Sequence, residues 1–473
     1  MAQFAFLTKT LKKLPNKYGQ LLDNLKLSVN FVLLTNSTHS LTFQLMNAVL
    51  TKAHLFRIVL FFIVSCTTSL ANSILITMDD KQTNHLKAYG VAYWELKADR
   101  EVDWLLNYRG GSFMMKYSNV LERECRLRGV SYEVISAANA NAIINQISHP
   151  DVNMDVVKLH KAAKIVVYSP VKVSTSSFED TDAVLLVLKY AEIPFEIVYD
   201  EEILKGDLAK YDWLHLHHED FTGQFGRNRR RMTIADVQAQ ENIAKKYGYK
   251  KVSQLKLDVA RSIKGFCAGG GYLFAMCSGA ESLDVALAAE GVDIVPSIFD
   301  GDGVDPKAQS KLDFSKTIAF ENFVLELNND DDYRGGGMSF SSINSSSGQG
   351  WGDETTNYFS LFDFSAKWDV IPSMLVQNHE NLIREFFGQT TAFNKKTVKS
   401  SALVMGQSKS SDRYIYGELG RGQWTFYGGH DPEGQRGFHR MPTDLNLHPH
   451  SPGYRLILNN VLFPSAKKKK RKT

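Results

Sequence analysis

The chain has 473 residues, which is room for two to three domains of ordinary size. Hydrophobic residues make up 44% and charged residues 22% of it, a profile that excludes collagen-like, disordered and polytopic membrane proteins. The net charge of +4 is unevenly placed, because the run at 467–472 holds six bases and residues 1–71 hold seven bases and one acid. Between these two segments lie 42 of the 55 bases and 50 of the 51 acids. This central part of the chain is therefore acidic, and we do not expect it to bind nucleic acid.

Residues 46–71 have the pattern of an export signal. Basic residues come first, the apolar run at 58–64 follows, and a final Ser-Leu-Ala sequence is suited to cleavage. The run is too short to span a bilayer. We therefore expect translation to start at Met46, residues 1–45 to be an upstream extension, and the protein to be exported to the cell envelope.

A second pattern competes for the cleavage point. The sequence Ile-Val-Ser-Cys that ends at Cys66 resembles a bacterial lipobox, in which the cysteine is lipidated. Two forms are therefore compatible with the sequence: a soluble periplasmic protein, and a lipoprotein anchored through Cys66. No other membrane contact is expected. The basic tail at 466–473 is interpreted as a solvated terminus.

Apolar runs alternate with amphipathic stretches along the rest of the chain, a pattern typical of α/β proteins. It predicts a smaller α/β unit at 72–160 and a larger domain at 161–465 with insertions at 222–252 and 328–354. For the larger domain we expect an open, mostly parallel sheet with flanking helices, as in flavodoxin-like folds. The predicted strands are 73–78, 102–108, 132–135, 164–168, 195–199, 211–220, 272–276, 402–406, 413–418 and 423–427, and the predicted helices are 84–96, 110–128, 180–190, 234–247, 253–266 and 281–290.

Cys277 carries the sharpest chemical signal. It follows the predicted strand 272–276 and precedes a tight Ser-Gly-Ala turn and a helix, so we expect it on a strand-to-helix elbow. A helix N-terminus favours the nucleophilic thiolate, and the backbone N–H of Ser278 is the expected oxyanion donor. The alternative is a buried cysteine that only fills space.

A second polar cluster follows an earlier strand and consists of His217, His218, Glu219 and Asp220. In open α/β sheets the residues after such strands line the ligand crevice. We expect this cluster, with Gly279, to bind a small polar substrate or ligand. No metal and no cofactor are expected, since the spacing matches no ligand template. A polar strand end satisfied by hydrogen bonds is the alternative.

Three segments carry a family resemblance: the glycine run at 269–271, the elbow Ala-Met-Cys-Ser-Gly at 275–279, and Trp-Thr-Phe-Tyr-Gly-Gly-His-Asp-Pro-Glu at 424–433. Together they resemble the class I glutamine amidotransferase-like superfamily over roughly residues 160–465. The resemblance implies an α/β domain with a catalytic cysteine on the elbow.

The same resemblance implies a triad in which Cys277 is the nucleophile, His430 the base and Glu433 the orienting acid. The expected function is an exported cysteine-nucleophile hydrolase or amidotransferase acting on an amide or ester. A catalytically silent envelope protein that binds a small polar ligand such as a sugar is the alternative. Exported proteins of this kind are often labelled asparagine synthetase B. A glutamine-dependent synthetase is disfavoured here, because Ala2 stands at the usual cysteine position and no SGGxDS loop occurs.

Overall fold

The computed structural model describes residues 71–170, 182–225, 234–327, 339–345, 358–369, 374–377, 380–384, 392–434 and 442–466. By their contacts, Ala71–Thr473 form one compact unit. The predicted export signal up to residue 70, Cys66, residues 467–473 and most of the predicted insertion at 328–354 lie outside the described residues. Among the helices described, none is long and apolar enough to cross a membrane.

The first 90 described residues form a five-stranded sheet with the order β4-β1-β3-β2-β5, in which every ladder is antiparallel. Its strands are β1 (Ala71–Ile76), β2 (Val102–Leu106), β3 (Ser112–Lys116), β4 (Glu133–Ser136) and β5 (Asp155–Leu159), and its helices are α1 (His85–Lys97), α2 (Asn119–Leu127) and α3 (Ala137–Ser148).

The predicted helix over 110–128 is only half right. Its second half is α2, but Ser112–Lys116 is the strand β3, which pairs with both β1 and β2. Gly110 and Gly111 have φ of +78° and +90°, so they make a left-handed turn that starts a strand rather than a helix. The apolar residues of Ser-Phe-Met-Met-Lys gain more by filling the centre of this sheet than by forming a helix.

The second sheet has nine strands in the order β11-β10-β12-β13-β14-β9-β8-β6-β7. The ladders from β7 to β14 are parallel, and the four from β14 to β11 are antiparallel. The strands are β6 (Ile165–Tyr168), β7 (Glu196–Val198), β8 (Trp213–Leu216), β9 (Tyr272–Met276), β10 (Tyr358–Leu361), β11 (Leu382–Arg384), β12 (Leu403–Gln407), β13 (Asp412–Leu419) and β14 (Gly422–Tyr427).

The predicted open, mostly parallel, flavodoxin-like sheet is therefore wrong. The nine-stranded sheet is mixed, and the first sheet is antiparallel throughout. The physical reason lies in the connections. Only two residues separate β13 from β14, and Gly420 has φ of +60° there, so the chain reverses in a hairpin. A parallel pair needs a crossover of a dozen or more residues, which this connection lacks.

The remaining helices cover the second sheet, and one of them is buried on all sides. The helix α11 is fully buried and contacts both α1 and α4, so it joins the helices of the two sheets. One core cluster accordingly contains Trp104 of the first sheet and Phe274 of the second. The helices are α4 (Ala183–Tyr190), α5 (Asp200–Leu204), α6 (Ile234–Lys246), α7 (Val252–Ala268), α8 (Cys277–Ala288), α9 (Ser297–Asp300), α10 (Ala308–Lys311) and α11 (Pro452–Leu462).

The strands β8, β9 and β14 are neighbours in the middle of the nine-stranded sheet and run parallel. Their carboxyl ends therefore meet at one edge, where open α/β sheets place their ligand sites. The segments that follow these strands begin at His217, Cys277 and Gly428. Sheet order thus brings three distant pieces of sequence to one place.

Candidate functional site

Cys277 is the first residue of α8 and has a left-handed backbone, with φ of +48°. The residue before it, Met276, is still extended at φ −125°. A non-glycine residue in this region costs about 1–3 kcal/mol and persists only where its surroundings hold it. Here the N–H of Cys277 donates to the carbonyl of Gly429 at 3.1 Å, which ties the elbow to the segment after β14. The predicted elbow is observed, with the helix starting at the cysteine itself.

The first turn of α8 packs tightly against the segment after β8. The N–H of Gly279 donates to the carbonyl of His217 at 2.8 Å. A Cβ at position 279 would lie 3.0 Å from that oxygen and 3.1 Å from Oε2 of Glu219, so only glycine fits without a shift. The N–H of Ser278 has no backbone acceptor outside its own helix among the described residues. This amide lies at the position expected of an oxyanion donor.

Three imidazoles surround the thiol. Nδ1 of His430 lies 2.6 Å from Nε2 of His217, a hydrogen-bond distance. The ring of His218 stacks on that of His217 with 3.9 Å between centroids and lies 4.4 Å from that of His430. One nitrogen of each ring and the sulfur of Cys277 all lie within 4.8 Å of one another. We call these four residues the imidazole–thiol cluster.

Asp182, which is not among the predicted site residues, lies behind the cluster. Its Oδ2 lies 3.0 Å from Nδ1 of His217 and 3.3 Å from Nε2 of His215. Its Oδ1 accepts the N–H groups of Val184 and Leu185 and caps α4. Burial alone would raise the pKa of this carboxyl, but the two imidazoles hold it well below its usual range. The sequence signal was an aspartate just before an apolar helical run, and that signal indicates only a cap.

Burial holds three further groups of the site, His215, His218 and Glu219, in their neutral forms. Burial, followed by the neighbouring His217 and His430, lowers the pKa of His218 well below its usual value. Burial also lowers the pKa of His215. Burial raises the pKa of Glu219 to about 8, although this carboxyl accepts the N–H of His217. At neutral pH the imidazoles of His215 and His218 are therefore neutral, Glu219 is protonated and Asp182 is ionised.

Two residues of the predicted site point elsewhere. The carboxylate of Asp220 accepts the N–H and hydroxyl of Thr222, which closes a turn after the cluster. The carboxylate of Glu433 lies 3.4 Å from Nδ1 of His448 and 3.7 Å from Nη1 of Arg384. The structure thus brings Cys277 together with the predicted His430, His217 and His218, while Glu433 forms a separate ion pair.

Asp431, next to His430, anchors the segment after β14. Its Oδ1 accepts the hydroxyl of Tyr454 at 2.9 Å and the N–H of Glu433, and its Oδ2 accepts the hydroxyl of Thr443. Tyr454 belongs to the buried helix α11. The position of His430 is therefore set by a carboxylate that is bound on both oxygens.

A group of three acids lies outside the site. Asp293, Asp300 and Asp302 surround the ammonium of Lys251, which lies 2.6 Å from Asp293 and 3.0 Å from Asp300. A lysine thus occupies the place that a cation would take. The acid-rich turn at 300–305 is explained by this ion-pair network.

Comparison with known proteins does not name a family. No family model and no curated protein matches the chain. Solved structures with partial likeness include two cytoplasmic proteins of Salmonella typhimurium. One is 12% identical with TM-score 0.29, covering 62% of this chain and 97% of that one, and the other, from strain LT2, is 11% identical with TM-score 0.31, covering 64% and 99%.

A β-galactosidase from Bacillus circulans sp. alkalophilus is also similar in part, at 12% identity and TM-score 0.23, over 57% of this chain and 29% of that one. Likeness at these TM-scores carries no argument about fold or activity. The geometry of the site is therefore the basis for a functional proposal.

Proposed function

We propose that this protein is a cysteine-nucleophile hydrolase or amidotransferase that acts on a small amide or ester, as the resemblance to class I glutamine amidotransferase-like proteins implies. The observation that carries the proposal is the left-handed backbone of Cys277 at the start of α8, with the imidazole of His430 beside its sulfur. A strained backbone at a strand-to-helix turn is the geometry that exposes a nucleophile to substrate and to amide donors.

The chemistry follows from the neighbours of the sulfur. An imidazole nitrogen of His430 takes the thiol proton as Sγ of Cys277 attacks the carbonyl carbon, and the carbonyl oxygen becomes an oxyanion facing the N–H of Ser278. The carbon–nitrogen or carbon–oxygen bond then breaks, and the imidazolium returns its proton to the leaving group. Water, or an amine acceptor, attacks the thioester and frees the thiol.

The orienting acid in this proposal is Asp182, acting through His217. The distances of 2.6 Å between His430 and His217 and 3.0 Å between His217 and Asp182 place the three side chains in a chain of contacts, in which the second is an ion-pair distance without the alignment of a hydrogen bond. Positive charge that develops on His430 is stabilised by the ionised carboxylate at the far end of this chain. The carboxylate of Glu433 pairs with His448 and Arg384. In this proposal Glu433 only holds the segment after β14 in place.

A catalytically silent binding protein is the second candidate. It is favoured by the burial of the cluster, since Cys277 is 1% and His430 9% exposed. The neutral imidazole of His218 and the protonated Glu219 offer donors and acceptors suited to a small polar ligand such as a sugar. In this case the cluster would bind ligand without forming a thioester.

Thiol alkylation separates the two functions. Iodoacetamide labelling of the intact protein across pH 6–9 should modify Cys277 fastest. Cys125 and Cys267 are matched controls, because burial raises the pKa of each thiol to about 12. Hydrolysis of an activated ester should be lost in Cys277→Ser and kept in Cys125→Ser. Equal labelling of the three cysteines, with no hydrolysis by the wild type, would leave only the binding function.

Export stays part of the proposal and has its own test. N-terminal sequencing of the mature protein should show a start shortly after residue 71, or a blocked Cys66 for a lipoprotein. A mature protein that starts at Met1 would contradict both forms.

A further inference from the structure

The imidazole–thiol cluster has the composition of a metal site as well as that of a catalytic one. Three imidazole nitrogens and a thiolate sulfur are the donors that Zn²⁺ prefers. Two of them come from one segment after β8, one from the start of α8 and one from the segment after β14. We propose that His217, His218, His430 and Cys277 form a four-coordinate site for one Zn²⁺ ion.

The spacing of the donors fits this ion after small side-chain rotations. Zinc–nitrogen bonds of about 2.0–2.1 Å and a zinc–sulfur bond of about 2.3 Å place tetrahedral donors about 3.3–3.6 Å apart. The four donor atoms already lie within 4.8 Å of one another, and the nitrogens of His430 and His217 are 2.6 Å apart. Binding would therefore draw the widest pair in by about 1 Å and separate the closest pair by a similar amount.

The surroundings supply the outer contacts that metal-binding histidines use. A zinc-bound histidine commonly directs its second nitrogen at a carboxylate, which fixes the ring and raises its basicity. Nδ1 of His217 lies 3.0 Å from Oδ2 of Asp182, while Nε2 points into the cluster. Asp182 is itself fixed by the N–H groups of Val184 and Leu185.

The charges balance in the buried site. Zn²⁺ with the thiolate of Cys277 and the carboxylate of Asp182 sums to zero, so no net charge is left away from water. Binding releases the thiol proton, and the N–H hydrogen between His430 and His217 moves to the second nitrogen of its ring.

The metal site goes beyond the proposed hydrolase and does not depend on it. With all four positions taken by protein ligands, the ion has no open position for substrate water and holds the sulfur that the hydrolase needs. The zinc form is thus a closed form, in which Cys277 is protected from electrophiles.

Metal binding is measured directly on the full chain. The protein is stripped with a chelator, dialysed and titrated with Zn²⁺ against a chromophoric competitor, and separately with Co²⁺ followed by absorption. We expect one ion per chain, visible cobalt bands of four-coordinate intensity, and a near-ultraviolet thiolate-to-cobalt band. Zn²⁺ should also raise the unfolding temperature and block iodoacetamide at Cys277.

Variants identify the ligands. Cys277→Ser should remove the thiolate-to-cobalt band, and His218→Ala should weaken Zn²⁺ binding by more than the 10–100-fold typical of an outer-shell partner. Asp182→Asn, which keeps the cap of α4, should weaken it by about 10–100-fold. His149→Ala, at a largely exposed surface histidine, and Cys125→Ser are the controls and should leave binding unchanged. Circular dichroism confirms that each variant is folded.

The outcomes are distinct from those of the hydrolase test. Zinc affinity that is the same in folded Cys277→Ser, His218→Ala and wild type overturns the metal site, whatever the hydrolytic activity. Tight, cysteine-dependent zinc binding by a protein without hydrolytic activity supports the metal site and contradicts only the hydrolase.

Discussion

Helix α8 carries two buried polar regions, and they differ in what their polar atoms contact. At its start, Cys277 lies among three imidazole rings that also contact one another. One and two turns later, Glu281 and Asp284 are completely buried carboxyl groups. Burial is the same in both regions, so burial alone does not mark a functional site.

The two carboxyl groups bind backbone of surrounding loops. Oε1 of Glu281 accepts the N–H groups of Phe340 and Ser341 at 3.0 and 2.8 Å. Asp284 accepts three successive N–H groups, those of Ile318, Ala319 and Phe320, at 2.7–2.8 Å. These acceptors satisfy amides that would otherwise be buried without partners, and their role is to anchor chain segments to α8.

The start of the helix differs because its side chains lie close enough to one another for proton transfer. Imidazole can donate or accept at either nitrogen, and a thiol can lose its proton near neutral pH when its surroundings favour the thiolate. A buried polar region is thus a candidate site when its side chains bind each other, and an anchor when they bind backbone. Four measurements test this distinction.

The largest expected effect concerns the chain of residues behind the thiol. Asp182→Asn should lower kcat/KM for an activated ester by about 10²–10⁴-fold, because the imidazolium loses its stabilising charge. The pH at which alkylation of Cys277 reaches half of its maximal rate should also rise. The amide retains an oxygen to cap α4, so the fold should be preserved.

The matched variant is Glu433→Gln. It removes the charge of the residue that the family resemblance implies as the orienting acid. Its effect should be below about tenfold, because a partly exposed ion pair contributes about 1 kcal/mol or less. If Glu433→Gln inactivates the protein and Asp182→Asn does not, the orienting acid is Glu433 and not Asp182.

The second effect is on stability and tests the anchor. Asp284→Ala leaves three buried N–H groups without an acceptor, so the free energy of unfolding should fall by about 3 kcal/mol or more. Urea unfolding measures this, with Asp151→Ala at an exposed position as a control that should change it by less than about 0.5 kcal/mol. Ester hydrolysis per folded molecule should be unchanged, and a loss of activity in the folded variant would argue against a purely anchoring role.

The third effect is a pH dependence that belongs to Glu219. Its pKa of about 8 in the folded protein lies above the ordinary value of 4.5, so between these values the folded state keeps a proton that the unfolded state has lost. The free energy of unfolding therefore falls as the pH rises through this window, by up to about 1.4 kcal/mol per pH unit.

Glu219→Gln keeps an acceptor for the N–H of His217 and removes this contribution. From pH 5 to pH 8 the free energy of unfolding of the wild type should therefore fall relative to that of Glu219→Gln. Glu192→Gln, at a half-exposed side chain, is the control. A constant difference across the pH range would show that Glu219 is ionised in the folded protein.

The smallest effect tests the strained backbone at Cys277. Glycine adopts a positive φ without strain, so Cys277→Gly should unfold with a free energy about 1 kcal/mol higher than Cys277→Ala. At Ala288, at the other end of the same helix, Ala→Gly should cost about 1 kcal/mol. If glycine in place of alanine raises the free energy of unfolding at position 277 and lowers it at position 288, the strain is established. A change of the same sign at both positions would remove the main support for a nucleophile elbow.

Local features of this protein were predictable because they depend on neighbouring residues. The predicted strand 272–276 coincides with β9, and Cys277 lies at the turn into a helix as expected. Apolar runs, turn glycines and helix caps act within a few residues, and their patterns are visible in a single chain.

Strand direction was misjudged although a signal was present. The predicted strands 413–418 and 423–427 leave only four residues between them, which favours a hairpin, but the alternation of apolar and amphipathic stretches favoured a parallel sheet. The strand β3 was missed for a different reason. Its sequence suits a helix as well as a strand, and the neighbours on both sides decided the outcome.

By itself the sequence determined that an α/β chain with a cysteine at a strand-to-helix turn would form, since periodicity and turn chemistry are local properties. Only the tertiary structure decided which groups meet that cysteine. His217 and His430 are 213 positions apart and come within 2.6 Å because β8, β9 and β14 are adjacent in the sheet. Asp182 joins them from the cap of α4. Contacts of this kind depend on sheet order, which arises from the burial of whole surfaces and leaves no mark in the spacing of the residues concerned.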